Sequence, residues 1–188
     1  MTAPYRIVAV SGSVQEPSKT TAVVTALAEA VAARIPAEVA TVELAQWGPV
    51  LAGALSRDQL HPDAEAQVRA IEQADLLVVG SPVYRASFSG LFKHLFDLVD
   101  QYALVGTPVL LAATGGGERH ALIIEHQLRP LFSFFQALTL PLGVYASHAS
   151  FDGTVITDES LRRRIDLAAE RSIPLLPHTP NVTELVAS

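Results

Sequence analysis

The chain reads as an α/β protein with one parallel sheet of five strands and helices on both faces. Three observations lead there. Strand-like and helix-like runs alternate along the chain, the order in which parallel sheets are assembled. Two strand candidates, in "ADLLVVGSPVY" and "TPVLLAATGGG", are apolar throughout, as strands covered on both faces should be. Strands one, three and four each run into a loop rich in serine, proline or glycine before the next helix.

The elements follow in order. Tyr5–Val10 is a β-rich apolar run that enters "SGSVQEPSKTT", and a helical stretch from about Thr20 to Arg34 ends at Pro36. "EVATVEL" (38–44) alternates apolar and polar as a half-exposed strand does, and "WGPVLAG" (47–53) reads as a loop. A polar helix spans Pro62–Gln73, then comes the apolar strand of "ADLLVVGSPVY". "SGLFKHLFDLVDQY" is an amphipathic helix with Leu91, Leu95, Leu98 and Val99 on one side. After "TPVLLAATGGG" a longer helix holds "LIIEHQLRPLF", where Pro130 follows His126 by one turn and denies its carbonyl an α-helical partner. "LPLGVYAS" is a fifth strand and "DESLRRRIDLAAERSI" a last helix, capped by Asp158 or Thr157. Residues 1–175 form one domain and 176–188 a proline-broken tail.

Composition narrows the function. With 188 residues, 49% of them hydrophobic and 17% charged, the chain can bury a real core. It has no cysteine, which removes disulfides, thiolate nucleophiles, thiolate-bound zinc and iron–sulfur clusters. A net charge of −6 argues against a dedicated nucleic-acid binder. "LRRRI" (161–165), the one basic cluster, reads as a solvated helix face or an anion site. The six histidines show no metal-binding spacing, and His94 belongs at a helix surface or interface. No apolar run reaches membrane-spanning length and no secretion signal opens the chain, so a cytoplasmic location is expected.

In parallel sheets ligands bind beyond the carboxyl ends of the strands, where the strand order reverses. After strand one, Gly12 lets the backbone turn, and Ser11, Ser13, Ser18, Thr20 and Thr21 offer hydroxyls beside a helix N-terminus. Such an end suits an anion, though a serine-rich turn serves equally as an ordinary cap. The motifs G-x-x-x-x-G-K-[ST], G-x-G-x-x-G and G-x-S-x-G are all absent. After strand three, Pro82, Val83 and Tyr84 present an apolar edge and a ring, with amides around Arg85 and Ser87 free for heteroatoms. After strand four, Gly115, Gly116 and Gly117 allow a planar ring to approach the backbone closely. Each loop alone has a bland reading as a connection. Together, at one sheet edge, they fit a flavin mononucleotide (FMN) site, with phosphate at the first loop and the ring between the other two.

The segments "GSVQEPSKTT", "SPVYRASFSGLFKHLFDLV" and "LLAATGGGERHAL" resemble the NAD(P)H-dependent FMN reductase family. More narrowly, they are similar to the reductases that supply reduced flavin to alkanesulfonate and methanesulfonate monooxygenases. The resemblance runs from the first strand to about residue 150. It implies a flavodoxin-like three-layer sandwich with strand order 2-1-3-4-5, using FMN with NADH or NADPH. It places Ser11, Ser13, Ser18, Thr20 and Thr21 at the phosphate, with Gln15 where relatives often carry arginine. Pro82, Val83, Tyr84 and Arg85 fall along the isoalloxazine edge, and Thr114, Gly115 and Gly116 near its pyrimidine side. No protein acid or base is needed for hydride transfer itself.

In the sulfonate-linked relatives the helix after the glycine loop carries a one-residue π-bulge insertion, and His126 falls at the matching position. The resemblance therefore implies a homotetramer with His126 at a subunit interface, modulating assembly and flavin transfer. It also implies release of FMNH2 to a partner monooxygenase. A flavoenzyme with bound FMN that reduces quinones, azo dyes or metal ions is the alternative, and a flavodoxin-type electron carrier a third. Arg85 and Arg119 are the candidates to meet a 2′-phosphate, while the resemblance leans to NADH.

Overall fold

The computed structural model describes residues 3–177. Strands β1 (Tyr5–Ser11), β2 (Ala37–Glu43), β3 (Leu76–Pro82) and β4 (Pro108–Gly115) lie parallel in the order β2-β1-β3-β4. The fifth position is filled in two pieces. β5 (Leu138–Thr139) pairs with the start of β4, and β6 (Val144–Ser147) pairs with its end. The single strand expected over "LPLGVYAS" is thus confined to Val144–Ser147. Pro141 interrupts the ladder because it has no N–H to donate, while Leu140 N–H still reaches Val109 O at 2.9 Å.

Alternation along the strands builds two cores. Ile7, Ala9, Leu76 and Val78 face α1 (Lys19–Ala32) and α6 (Glu159–Ser172), burying Val23, Val24 and Leu27 of α1 with Leu161 and Ile165 of α6. Val8, Val10, Leu77 and Val79 face the other way. They pack against α2 (Leu44–Leu51), α3 (Pro62–Glu72), α4 (Gly90–Asp97) and α5 (Arg129–Phe134). The second core is rich in aromatics: Phe96 meets Phe92 and Phe132 with ring centroids 4.9 Å apart in both pairs. The result is the flavodoxin-like three-layer arrangement.

Helix α2 occupies much of the stretch expected to be a loop. Leu44, Gly48 and Leu51 recur at helical spacing and are buried, and that stripe outweighs the Gly-Pro signal. Pro49 lies on the exposed side. Helix α4 stops at Asp97, shorter than expected, although Leu98 and Val99 stay buried beyond it. Asp158 is the cap of α6, accepting from Ser160 N–H at 2.7 Å and Leu161 N–H at 3.4 Å.

The segment after β4 is not one regular helix. A short turn at Glu118–His120 leads to a π-helical segment, Ile124–Leu128, in which Arg129 N–H donates to Ile124 O, and then to α5. Pro130 follows immediately, so the ladder changes step where a donor is missing. Arg129 ties the segment to the split fifth strand: it pairs with Glu125 and donates to Leu140 O at 3.0 Å. Two short strands, β7 (Phe151–Asp152) and β8 (Val155–Ile156), form a hairpin before α6. Of the expected tail, Leu176 is buried and Pro177 O accepts from the Tyr5 hydroxyl at 2.8 Å; residues 178–188 lie outside the described residues.

Candidate functional site

A cleft of about 580 Å³ opens at the carboxyl ends of β1, β3 and β4. It lies where the strand order turns back, β1 leading to β2 on one side and to β3 on the other. Its walls come from the three expected loops. Ser13, Gln15, Ser18 and Thr20 line the first, Pro82, Val83 and Tyr84 the second, and Thr114, Gly115 and Gly116 the third.

Hydrogen bonds between the loops fix the cleft's shape. Gly12 N–H donates to Gly80 O at 2.7 Å and Ser89 Oγ donates to Gly12 O at 2.9 Å, joining loops one and two. Val83 N–H donates to Thr114 O at 2.8 Å, joining two and three. The hydroxyls of Thr20 and Thr114 are 2.7 Å apart, joining one and three across the buried floor. Ser18 caps α1 by accepting from Thr21 N–H at 3.1 Å. The glycine at 12 answers a close approach rather than a turn. A Cβ there would lie 2.7 Å from the Phe92 ring and 3.1 Å from Gly80 O.

Other expected residues stand elsewhere. Ser11 is fully buried and Thr21 Oγ1 turns away from the cleft, donating to Glu43 Oε2 at 3.1 Å and sharing a hydrogen bond with the Ser11 hydroxyl at 2.8 Å. Arg85 is exposed in a tight turn closed by Tyr84 N–H to Ser87 O and Ser87 N–H to Tyr84 O, at 2.8 and 3.0 Å. The Ser87 amide is therefore occupied, and its hydroxyl donates to Gln127 Oε1 at 3.1 Å. Gly117 O accepts from the Tyr145 hydroxyl at 2.6 Å, holding the glycine loop from behind. Burial, helped by the Glu118 carboxylate, pushes the Tyr145 phenol above its ordinary range. His126 is exposed on the π-helical segment and does not line the cleft. His94 Nε2 lies 3.0 Å from Leu51 O, a tie between α4 and α2.

Lys19, His148 and Thr154 also line the cleft and were not singled out in the sequence. Lys19 stands at the start of α1 with its ammonium 5.6 Å from the centre of the Phe151 ring, so the hairpin steadies it. The hairpin had a signal in the sequence. Gly153-Thr154 is a two-residue loop between the paired Asp152 and Val155, and Gly153 takes the left-handed φ of 59° that the first position of such a turn requires.

The donor set suits a phosphate ester carrying a flat ring. Ser13, Ser18, Lys19 and Thr20 line the cleft at or near the positive end of α1, and among the described residues no carboxylate lines it. At the other end Gly116 has nothing within 4 Å of where a Cβ would stand, so its backbone faces open space. Among the described residues no group of histidine and carboxylate side chains is arranged to hold a metal ion, and no helix is long and apolar enough to cross a membrane.

Fold and cleft together define a flavodoxin-like α/β protein with an open cleft at the switch point of its sheet. The comparisons narrow the class: residues 5–152 match the model of the NADPH-dependent FMN reductase family, and the chain belongs to that family. It is 55% identical to the NADH-dependent FMN reductase SfnF of Pseudomonas fluorescens, over 93% of this chain and 94% of that one. It is 54% identical, with the same coverage, to an FMN reductase (NADPH) of Pseudomonas aeruginosa. Among solved structures, an oxidoreductase from Corynebacterium diphtheriae superposes with a TM-score of 0.83 at 33% identity, covering 93% of this chain and 98% of that one. The apo form of the NADH:FMN oxidoreductase EMOB gives the same TM-score at 28% identity, covering 94% and 92%.

Proposed function

We propose that this protein oxidises NADH or NADPH and reduces FMN, taking FMN up as a diffusing substrate and releasing FMNH2 to a partner monooxygenase. FMN, when bound, supplies the centre that accepts hydride from the nicotinamide. The chain's own residues bind and orient. Ser13, Ser18, Thr20 and Lys19 hold the phosphate, Pro82, Val83 and Tyr84 line one edge of the ring, and Thr114, Gly115 and Gly116 line another. Gln15 contributes an amide where a charged contact is common in the family, which suits transient binding. The observation that carries this reading is the single cleft walled by the three loops at the switch point.

The resemblance to the sulfonate-linked reductases favours a sulfonate monooxygenase as acceptor and a role in sulfur acquisition, and similar proteins are named as NADH-dependent FMN reductases. The family resemblance supports one reductase domain over 1–175, a homotetramer and a cytoplasmic location. We place His126 at the subunit interface in that assembly, as a modulator of flavin transfer rather than a catalytic group. A visible spectrum with a flavin titration tests the diffusing-substrate reading. The protein is expected to purify colourless and to bind added FMN reversibly. A yellow protein that reduces quinones or azo dyes without added flavin would favour the bound-FMN alternative instead.

A further inference from the structure

The Tyr84–Ser87 turn is the strained part of the cleft wall. Arg85 and Ala86 both take left-handed backbone conformations, with φ of 49° and 69°, where a β-carbon crowds the neighbouring carbonyl. Two adjacent non-glycine residues in this region persist only when surrounding structure holds them. The turn closes on itself through the paired Tyr84 and Ser87 main-chain bonds. A further restraint reaches it from 40 residues along the chain: Ser87 Oγ donates to Gln127 Oε1 at 3.1 Å.

Gln127 lies within the π-helical segment, between Ile124 and Leu128, which are both buried. Those two residues lock the rotation of the segment about its axis, so the direction of the Gln127 side chain is set by core packing. The bond is partly buried, where loss of one partner leaves a polar group unsatisfied. A continuous path therefore joins the wide segment, Gln127, Ser87 and the strained turn to Tyr84, Val83 and Pro82 on the cleft wall.

We propose that Gln127 is a positioning residue for the FMN cleft, holding the Tyr84–Ser87 turn in its left-handed form through Ser87. This rests on the cleft being the flavin site. The test is a cycle of Gln127→Leu, Ser87→Ala and the double variant, with Gln127→Glu as the conservative replacement. A carboxylate oxygen still accepts from the Ser87 hydroxyl, so Gln127→Glu is expected to behave as wild type. Gln127→Leu and Ser87→Ala should each raise KM for FMN about five-fold with kcat changed by less than about two-fold, as loss of one hydrogen bond implies. The double variant should be no worse than either single one. Hydrogen exchange of the flavin-free protein should show faster exchange at residues 84–87 in Gln127→Leu and wild-type exchange in Gln127→Glu. An unchanged KM and exchange rate in Gln127→Leu, additive effects in the double variant, or failure of Gln127→Glu to restore them would overturn the assignment. The exchange arm stands whether or not flavin is the ligand. FMN-dependent oxidation by the wild type tests the flavin reading separately.

Discussion

Lys19 carries the charge that Gln15 does not. Among the described residues it is the one lysine or arginine that lines the cleft, set where the unpaired amides of α1 already favour an anion. Lys19→Gln should therefore weaken binding of a phosphorylated flavin and leave an unphosphorylated one alone. We expect KM for FMN to rise about ten-fold and KM for riboflavin to change by less than about two-fold, an ordinary size for a charge-assisted contact. Equal losses for both flavins would place the lysine's role in folding. Hydroxyl-rich loops were readable as a polar end of the cleft, but a list of hydroxyls says nothing about direction. Ser11 and Thr21 spend theirs on each other and on Glu43. Lys19 is not legible in the sequence because one lysine in a Ser-Lys-Thr run has no motif, and its approach to the Phe151 ring, 132 positions along, exists only in the fold.

At the scale of elements, the alternation of runs predicts the parallel strands and the flanking helices, and the differences have separate causes. A buried stripe at helical spacing makes much of "WGPVLAG" helix, whereas Pro141, with no N–H to donate, cuts "LPLGVYAS" short of a full strand. The loop after α2 shows how a connection is pinned. Arg57 donates to Glu65 at 2.9 Å, to Glu72 at 2.6 and 3.0 Å, and to Leu98 O at 2.7 Å, joining α3 to the end of α4. Hydrogen bonding from Arg57 holds Glu65 at about 2, below its ordinary 4.5. A carboxyl with a lower pKa folded than unfolded adds stability that is complete above its ordinary range and fades as pH falls towards the folded value. Glu65→Gln should thus lose about 1 kcal/mol at neutral pH, solvent screening included, and the gap should close near pH 2 in denaturant titrations. His126 belongs to the same scale. His126→Ala should alter oligomer distribution or flavin transfer while shifting Tm by less than about 2 °C. Deleting His126 should regularise the ladder and favour retained flavin. A deletion variant with unchanged flavin affinity, kinetics and assembly would remove the wide segment from the functional account.

For the whole molecule, the decisive arrangement is topological. Parallel order β2-β1-β3-β4 brings three loops, about 30 to 100 positions apart in sequence, to one edge, and inter-loop hydrogen bonds fix the shape of the cleft between them. That much followed from the order of elements. The contribution of the β7–β8 hairpin did not, because it packs across the cleft from a segment beyond the last sheet strand. The central claim is that this cleft serves FMN as a substrate for reduction by a nicotinamide. Steady-state oxidation of NADH and NADPH, with FMN, riboflavin and FAD varied in turn, tests it most directly. The account predicts negligible oxidation without flavin, saturable oxidation with FMN, and a lower kcat/KM for riboflavin, which lacks the phosphate. Oxidation that ignores added flavin, or that treats FMN and riboflavin alike, would contradict it.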